Sequence, residues 1–125
     1  MEPTTRQSGT ERSLAAKLRP DEHVVAWGRA WVSRDGSMPW LFAARTLDFV
    51  VRTEDRLYLF STGFFTRRPR RCVYGSALDR LGVEARQAKR GRHLRVHLPE
   101  GRALLFDMRG SARNNALADS LVSSP

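Results

Sequence analysis

Short segments in which apolar and polar residues alternate recur along this chain, and their close spacing constrains the fold more than any other feature. In the clearest pair, Leu47, Phe49 and Val51 alternate with polar residues, and a turn at 53–55 leads into a second segment at 56–61. A period of two is typical of a strand with one buried face. The two segments therefore predict a β-hairpin.

Five more segments have the alternation or the residue types of strands, at 23–33, 70–74, 80–85, 93–98 and 102–108. The connections between them are too short for helical crossovers, so we expect antiparallel pairing throughout. A flat sheet of seven strands would leave one apolar face open to water. We therefore expect a mainly β fold, a seven-stranded antiparallel barrel or sandwich with a helix closing one end.

Helical spacing appears near both ends of the chain. Leu14 and Leu18 lie four residues apart before a proline and predict a short helix over 11–19. Ser111 is a suitable N-cap for an amphipathic helix that runs to about residue 122 and buries Leu117.

The polar residues 1–10 predict a disordered leader, which leaves residues 11–125 as a single domain. No N-terminal segment combines a basic start with a long apolar run, so we expect no signal peptide. The most apolar stretch, 38–51, is interrupted by Arg45 and Asp48 and is too short to cross a bilayer. These features favour a cytoplasmic protein and leave open a peripheral position at the inner face of the membrane.

The segment 47–71, LDFVVRTEDRLYLFSTGFFTRRPRR, resembles the second-and-third-strand region of small bacterial proteins with a pleckstrin-homology-like (PH-like) domain. Val51, Thr53, Arg56 and Leu57 match a V-x-T-x-x-R-L hairpin that recurs in those proteins. The resemblance implies seven strands with a C-terminal helix, but the bacterial proteins mostly lack an assigned activity, so it implies little about function. Eukaryotic relatives of this fold bind phosphoinositides or peptides.

The pattern of phosphoinositide-binding relatives is not reproduced here. Those proteins usually carry a Lys-x(n)-Arg-x-Arg pattern across the first two strands and their loop. This chain has Arg29, Arg34 and Arg45 in that region, without a lysine and without the close spacing. The resemblance therefore does not imply specificity for inositol phosphates.

The net charge of +9 comes from two segments that contain no acidic residue. The first basic segment is residues 67–71, with Arg67, Arg68, Arg70 and Arg71; the second is residues 86–95, with Arg86, Lys89, Arg90, Arg92 and Arg95. Every other basic residue is balanced by one of the 13 acidic residues. Concentrated positive charge attracts phosphates, acidic lipid headgroups and acidic proteins.

Aromatic residues accompany the first basic segment. Phe64 and Phe65 directly precede it, and Trp40 could lie at the same end of the fold, beside Arg34 and Arg45. Rings that enter a headgroup region while guanidinium groups meet phosphates would suit a membrane surface. Alternatively, the two phenylalanines close the barrel and the arginines are simply solvated.

The second basic segment spans a predicted hairpin, which could contact nucleic-acid phosphates. It contains no aromatic residue on which a base could stack, and in a PH-like topology it would lie near the opposite end from the first segment. We therefore rank nucleic-acid binding below docking to an anionic membrane or an acidic protein. A structural or oligomerising domain without a ligand is the third alternative.

The sequence contains no pattern that indicates catalysis, a metal or a cofactor. His93 and His97 would lie about 13 Å apart on one strand face, too far to share a metal. Cys72, the single cysteine, is expected to be a small buried hydrophobe, and Trp27 and Trp31 are expected in the core. The sequence thus predicts a non-enzymatic binding module.

Overall fold

The computed structural model describes residues 9–33, 45–63 and 67–122, and at Arg45 it describes only the main chain. Two helices and seven strands follow one another along the chain: α1 (Gly9–Ala16), β1 (Ala26–Ser33), β2 (Arg45–Arg52), β3 (Arg56–Thr62), β4 (Pro69–Ala77), β5 (Gly82–Ala88), β6 (Gly91–His97), β7 (Ala103–Arg109) and α2 (Ala112–Val122). A 3-10 turn, Leu78–Arg80, connects β4 to β5.

All seven strands belong to one antiparallel sheet with the order β4-β3-β2-β1-β7-β6-β5. The predictions of a mainly β fold, of antiparallel pairing and of a helix at each end are therefore confirmed. The prediction that the sheet closes into a barrel is wrong, because β4 and β5 remain the two edges of the described sheet. The β4 edge suits no further pairing, since β4 starts at Pro69 and has two register shifts against β3.

One face of the sheet, called the inner face, packs against α2. The inner core contains Ala30, Val32, Val50, Leu57, Leu59, Leu94, Val96, Leu98, Leu104, Phe106, Met108, Leu117, Ala118 and Leu121. Val73 and Tyr74 of one edge strand and Val83 of the other also pack against this core. The sheet therefore curls about the inner core although its edges do not pair.

The outer face of β2 and β3 has a second, smaller core, which α1 covers. Leu14 is fully buried there against Phe49, Val51 and Phe60. Trp27 packs at the margin of this cluster, with its ring centre 5.9 Å from that of Phe49. Both faces of this half of the sheet are thus buried, so its residues do not simply alternate between a buried and an exposed side.

The N-terminus of α2 fills a gap between β1 and β7, which pair only over Trp31–Ser33 of β1. The Asn114 side chain bridges the gap: its Oδ1 accepts from the Arg29 amide at 3.1 Å, and its Nδ2 donates to the Arg109 carbonyl at 2.9 Å. Ser111 caps the helix as predicted, because its Oγ accepts from the Asn114 amide at 3.0 Å.

The chain ends agree with the predictions only in part. The helix predicted over 11–19 is shorter and starts earlier, so Gly9 and Thr10, assigned to a leader by the sequence, belong to α1. Residues 1–8 lie outside the described part of the chain. Within the described residues, neither helix has the length and apolar character needed to span a membrane.

Candidate anion-binding site

The first basic segment lies in the β3–β4 connection, which two backbone hydrogen bonds close around Gly63. The Gly63 amide donates to the Arg68 carbonyl at 2.8 Å, and the Arg67 amide donates to the Gly63 carbonyl at 3.0 Å. Arg67 has a φ of 54°, in the left-handed region that few residues other than glycine adopt. This conformation directs the chain from the turn into Pro69, which is buried.

Two cations from other elements hold the main chain of this segment. The Arg29 guanidinium of β1 lies 4.6 Å from the centre of the Phe49 ring and donates to the Arg67 carbonyl at 2.7 Å. Lys17, just after α1, donates from Nζ to the Arg70 carbonyl at 2.6 Å. The main chain of the basic segment is therefore tied to both β1 and the N-terminal region.

All four arginines of the first basic segment are exposed. Within the described residues, Arg67, Arg70 and Arg71 have no carboxylate within ion-pair distance. Their positive charge is therefore available to a partner. Together with Lys17, which follows α1, and Arg29 of β1, they form a cationic cluster drawn from three separate parts of the chain.

A cleft of about 580 Å3 lies beside this cluster. Its described lining consists of Arg29, Thr46, Leu47, Asp48, Ser61, Thr62, Gly63, Arg67 and Val73. The Thr62 hydroxyl already donates to the Leu47 carbonyl at 2.8 Å, and the Ser61 hydroxyl accepts from the Arg71 amide at 3.3 Å. The Asp48 carboxylate is also buried in this lining, with 2% of the residue exposed. The cleft is thus lined by two arginines, a buried carboxylate and hydroxyls that are already hydrogen-bonded within the protein, so it does not suit an enclosed small anion.

The aromatic part of the predicted site lies outside the described residues. Phe64, Phe65, Trp40 and Arg34 lie outside the described residues, as does the side chain of Arg45. The described part of the site therefore consists of its cations and the cleft beside them.

The second basic segment lies at the other end of the strands. Its turn, Lys89–Arg90, is next to the end of β7, where the Gly110 amide donates to the Arg90 carbonyl at 2.7 Å, whereas the first segment follows the opposite end of β3. Arg92 lies on the inner face of the sheet and forms an ion pair with Asp119 of α2, so its role is structural. Arg86 and Arg95 are exposed on the outer face.

The histidines that the sequence placed on one strand face each contact a carboxylate on a neighbouring strand. His93 Nε2 is 3.4 Å from Asp107 Oδ1, and His97 Nε2 is 3.4 Å from Glu84 Oε1. In the described part of the chain, no group of three or more histidine, cysteine or acidic residues is arranged to hold a metal ion.

Of three residues expected in the core, two are exposed. Trp27 and Trp31 share the outer face, where Trp27 is partly buried but Trp31 is 38% exposed. Cys72 is also exposed, because β4 is an edge strand and Cys72 faces outward opposite Phe60. The alternation was correct, but it did not identify which face each residue would occupy.

Two cations of the cluster were not predicted from the sequence as site residues. Arg29 shares a strand face with Trp27 and Trp31, which were expected in the core, so nothing in the sequence indicated that its side chain reaches residue 67. Lys17 and Arg70 are far apart in the sequence, and only the tertiary fold brings them together.

Comparisons with known proteins gave no match: no protein-family model fits the chain, and no curated protein is similar to it.

Proposed function

We propose that this chain is a non-enzymatic docking module of PH-like type that binds anionic membrane surfaces through its first basic segment. The single observation that carries the proposal is the group of exposed arginines at 67–71, three of which have no carboxylate partner among the described residues. Lys17 and Arg29 add their charges and hold the main chain of this segment. The strand order and the C-terminal helix are consistent with the PH-like resemblance.

The size of the charge supports reversible rather than permanent attachment. A basic residue near an anionic bilayer contributes about 1 kcal/mol, so four arginines supply about 4 kcal/mol and millimolar affinity. With Lys17 and Arg29 included, about 6 kcal/mol gives a dissociation constant on the order of 10–100 μM. Binding of this strength would be reversible and salt-sensitive, which suits the proposed peripheral position at the inner face of a membrane.

Flotation with lipid vesicles tests the proposal. Wild-type protein should float with vesicles that contain phosphatidylserine and not with phosphatidylcholine vesicles, and the bound fraction should fall as salt rises. Replacing Arg67, Arg68, Arg70 and Arg71 together by Gln should abolish flotation. The matched control replaces the four residues of the second basic segment that are exposed, and it should retain most of the binding despite the same change in net charge: Arg86, Lys89, Arg90 and Arg95.

Other outcomes would contradict the membrane proposal and identify its alternatives. Equal flotation with both vesicles, or an equal loss in the control, would show that the first segment is not a specific docking site. Binding to polyglutamate without flotation would indicate an acidic protein as the partner. A salt-sensitive shift of single-stranded or duplex DNA, lost in the control variant, would favour the nucleic-acid alternative.

A further inference from the structure

The two edges of the sheet differ in their capacity to pair with another strand. The β4 edge carries Pro69, two register shifts and the charged Arg70 and Arg71, all features that discourage edge pairing. The β5 edge is regular: seven residues without proline, paired to β6 in unbroken register from Gly82 to Ala88. In the described sheet β6 is the one strand that pairs with β5, so the other edge of β5 has no strand partner there.

The register of the β5–β6 hairpin determines which backbone groups point to this open edge. Ala88 and Gly91 flank a two-residue turn, so they form the hydrogen-bonded pair next to it. Alternation then directs the amides and carbonyls of Val83, Ala85 and Gln87 away from β6. These groups are available to a further strand.

We propose that β5 pairs antiparallel with β5 of a second copy of this chain, with Ala85 opposite Ala85. This register overlaps the whole strand and forms about six hydrogen bonds between the edge-facing residues. It also sets Glu84 opposite Arg86 of the second copy on the outer face, twice by symmetry, and opposite charges at facing positions stabilise a strand pair.

The charge pattern selects this register over its neighbours. A shift by two residues in one direction places Glu84 opposite Glu84, and a shift in the other direction places Arg86 opposite Arg86; both are unfavourable. Both side chains are accessible, since Arg86 is exposed and the Glu84 side chain is 71% exposed. Glu84 Oε1 lies 3.4 Å from His97 Nε2, which leaves the second carboxylate oxygen for an arginine.

Charge variants with a mixing experiment test this interface. Sedimentation equilibrium over a concentration series should show a reversible dimer for the wild type, weakened roughly tenfold to a hundredfold by either E84R or R86E. An equimolar mixture of E84R and R86E should dimerise again, because each residue then faces an opposite charge. The matched controls E100R and R12E make the same charge changes at exposed positions away from β5 and should dimerise like the wild type.

Ala85→Pro examines the backbone part of the interface. The Ala85 amide faces the open edge, so proline there should remove a bond to the second copy but none to β6. The variant should be monomeric with an unchanged circular dichroism spectrum. A wild type that stays monomeric at its highest soluble concentration would overturn the proposal. So would a dimer insensitive to these variants, or a mixture that remains monomeric. None of these outcomes depends on lipid binding, so the docking proposal stands or falls separately.

Discussion

At the scale of single residues, Gly28 and Asn114 determine how β1 and α2 meet. A β-carbon at Gly28 would overlap Asn114 Oδ1 and would lie 3.1 Å from Leu117 Cδ2. At this point β7 offers no acceptor to β1, and the same oxygen accepts the hydrogen bond of the Arg29 amide instead. Glycine is thus required by the close approach of an amide side chain and not by its backbone conformation.

We expect Gly28→Ala and Asn114→Ala each to lower the free energy of unfolding by about 1–3 kcal/mol. The first overpacks the contact, and the second leaves the Arg29 amide without an acceptor. The double variant should lose less than the sum by about 1 kcal/mol, since removing Asn114 makes room for the added methyl group. Urea unfolding measures all three values; effects that add within about 0.5 kcal/mol would contradict the contact.

The Tyr58 hydroxyl gives a second prediction for a single residue. It donates to Glu22 Oε2 at 2.7 Å, and burial, assisted by this hydrogen bond and the Glu22 charge, raises the pKa of Tyr58 above 10.0. The folded protein therefore holds this proton more tightly than the unfolded chain. The resulting stability is present below pH 10.0 and is lost as pH rises through the raised pKa.

Tyr58→Phe should therefore reduce the decline of the unfolding free energy above pH 10.0, while also losing the hydrogen bond at neutral pH. Tyr74→Phe is the matched control, because Tyr74 packs against the inner core on β4. Unfolding in urea at neutral and alkaline pH provides the measurement. An alkaline decline that is identical in wild type and Tyr58→Phe would show that Tyr58 does not contribute to it.

At the scale of elements, α1 is an integral part of the fold, because its buried Leu14 closes the outer core over Phe49 and Phe60. We expect Leu14→Ala to cost about 2–5 kcal/mol of unfolding free energy, as for other large-to-small changes in cores. Arg12→Gln, on the exposed side of the same helix, should change stability by less than about 0.5 kcal/mol. Thermal unfolding checks this, and an unchanged melting temperature for Leu14→Ala would mean that α1 undocks freely.

Element types followed from the sequence more completely than their burial. The β2–β3 hairpin was predicted from alternation, and the Thr53 hydroxyl indeed accepts from the Arg56 amide at 3.1 Å in its turn. Yet Phe49, Val50 and Val51 are all fully buried, because α1 covers one face of β2 and the inner core the other. Periodicity assigns residues to two faces, but only the fold shows which faces are covered.

At the scale of the whole molecule, the sequence predicted seven antiparallel strands but not that the sheet would stay open. Barrel closure requires β4 and β5 to pair, and alternation within single strands predicts neither that pairing nor the register shifts of β4 opposite Phe60. The surface charge of the two basic segments also depends on tertiary contacts that the sequence does not reveal. The first basic segment gains Lys17 and Arg29 through tertiary contacts, and the second gives up Arg92 to Asp119.

The irregular β4 edge has a consequence for how far assembly can proceed. A sheet that offered two regular edges could add copies head to tail without limit and would risk growing into a fibre. Here the β4 edge carries Pro69 and its register shifts, which leaves β5 as the only regular edge of the described sheet. Pairing of β5 with β5 is self-complementary and uses that edge in both copies. Growth by this route would stop at two copies.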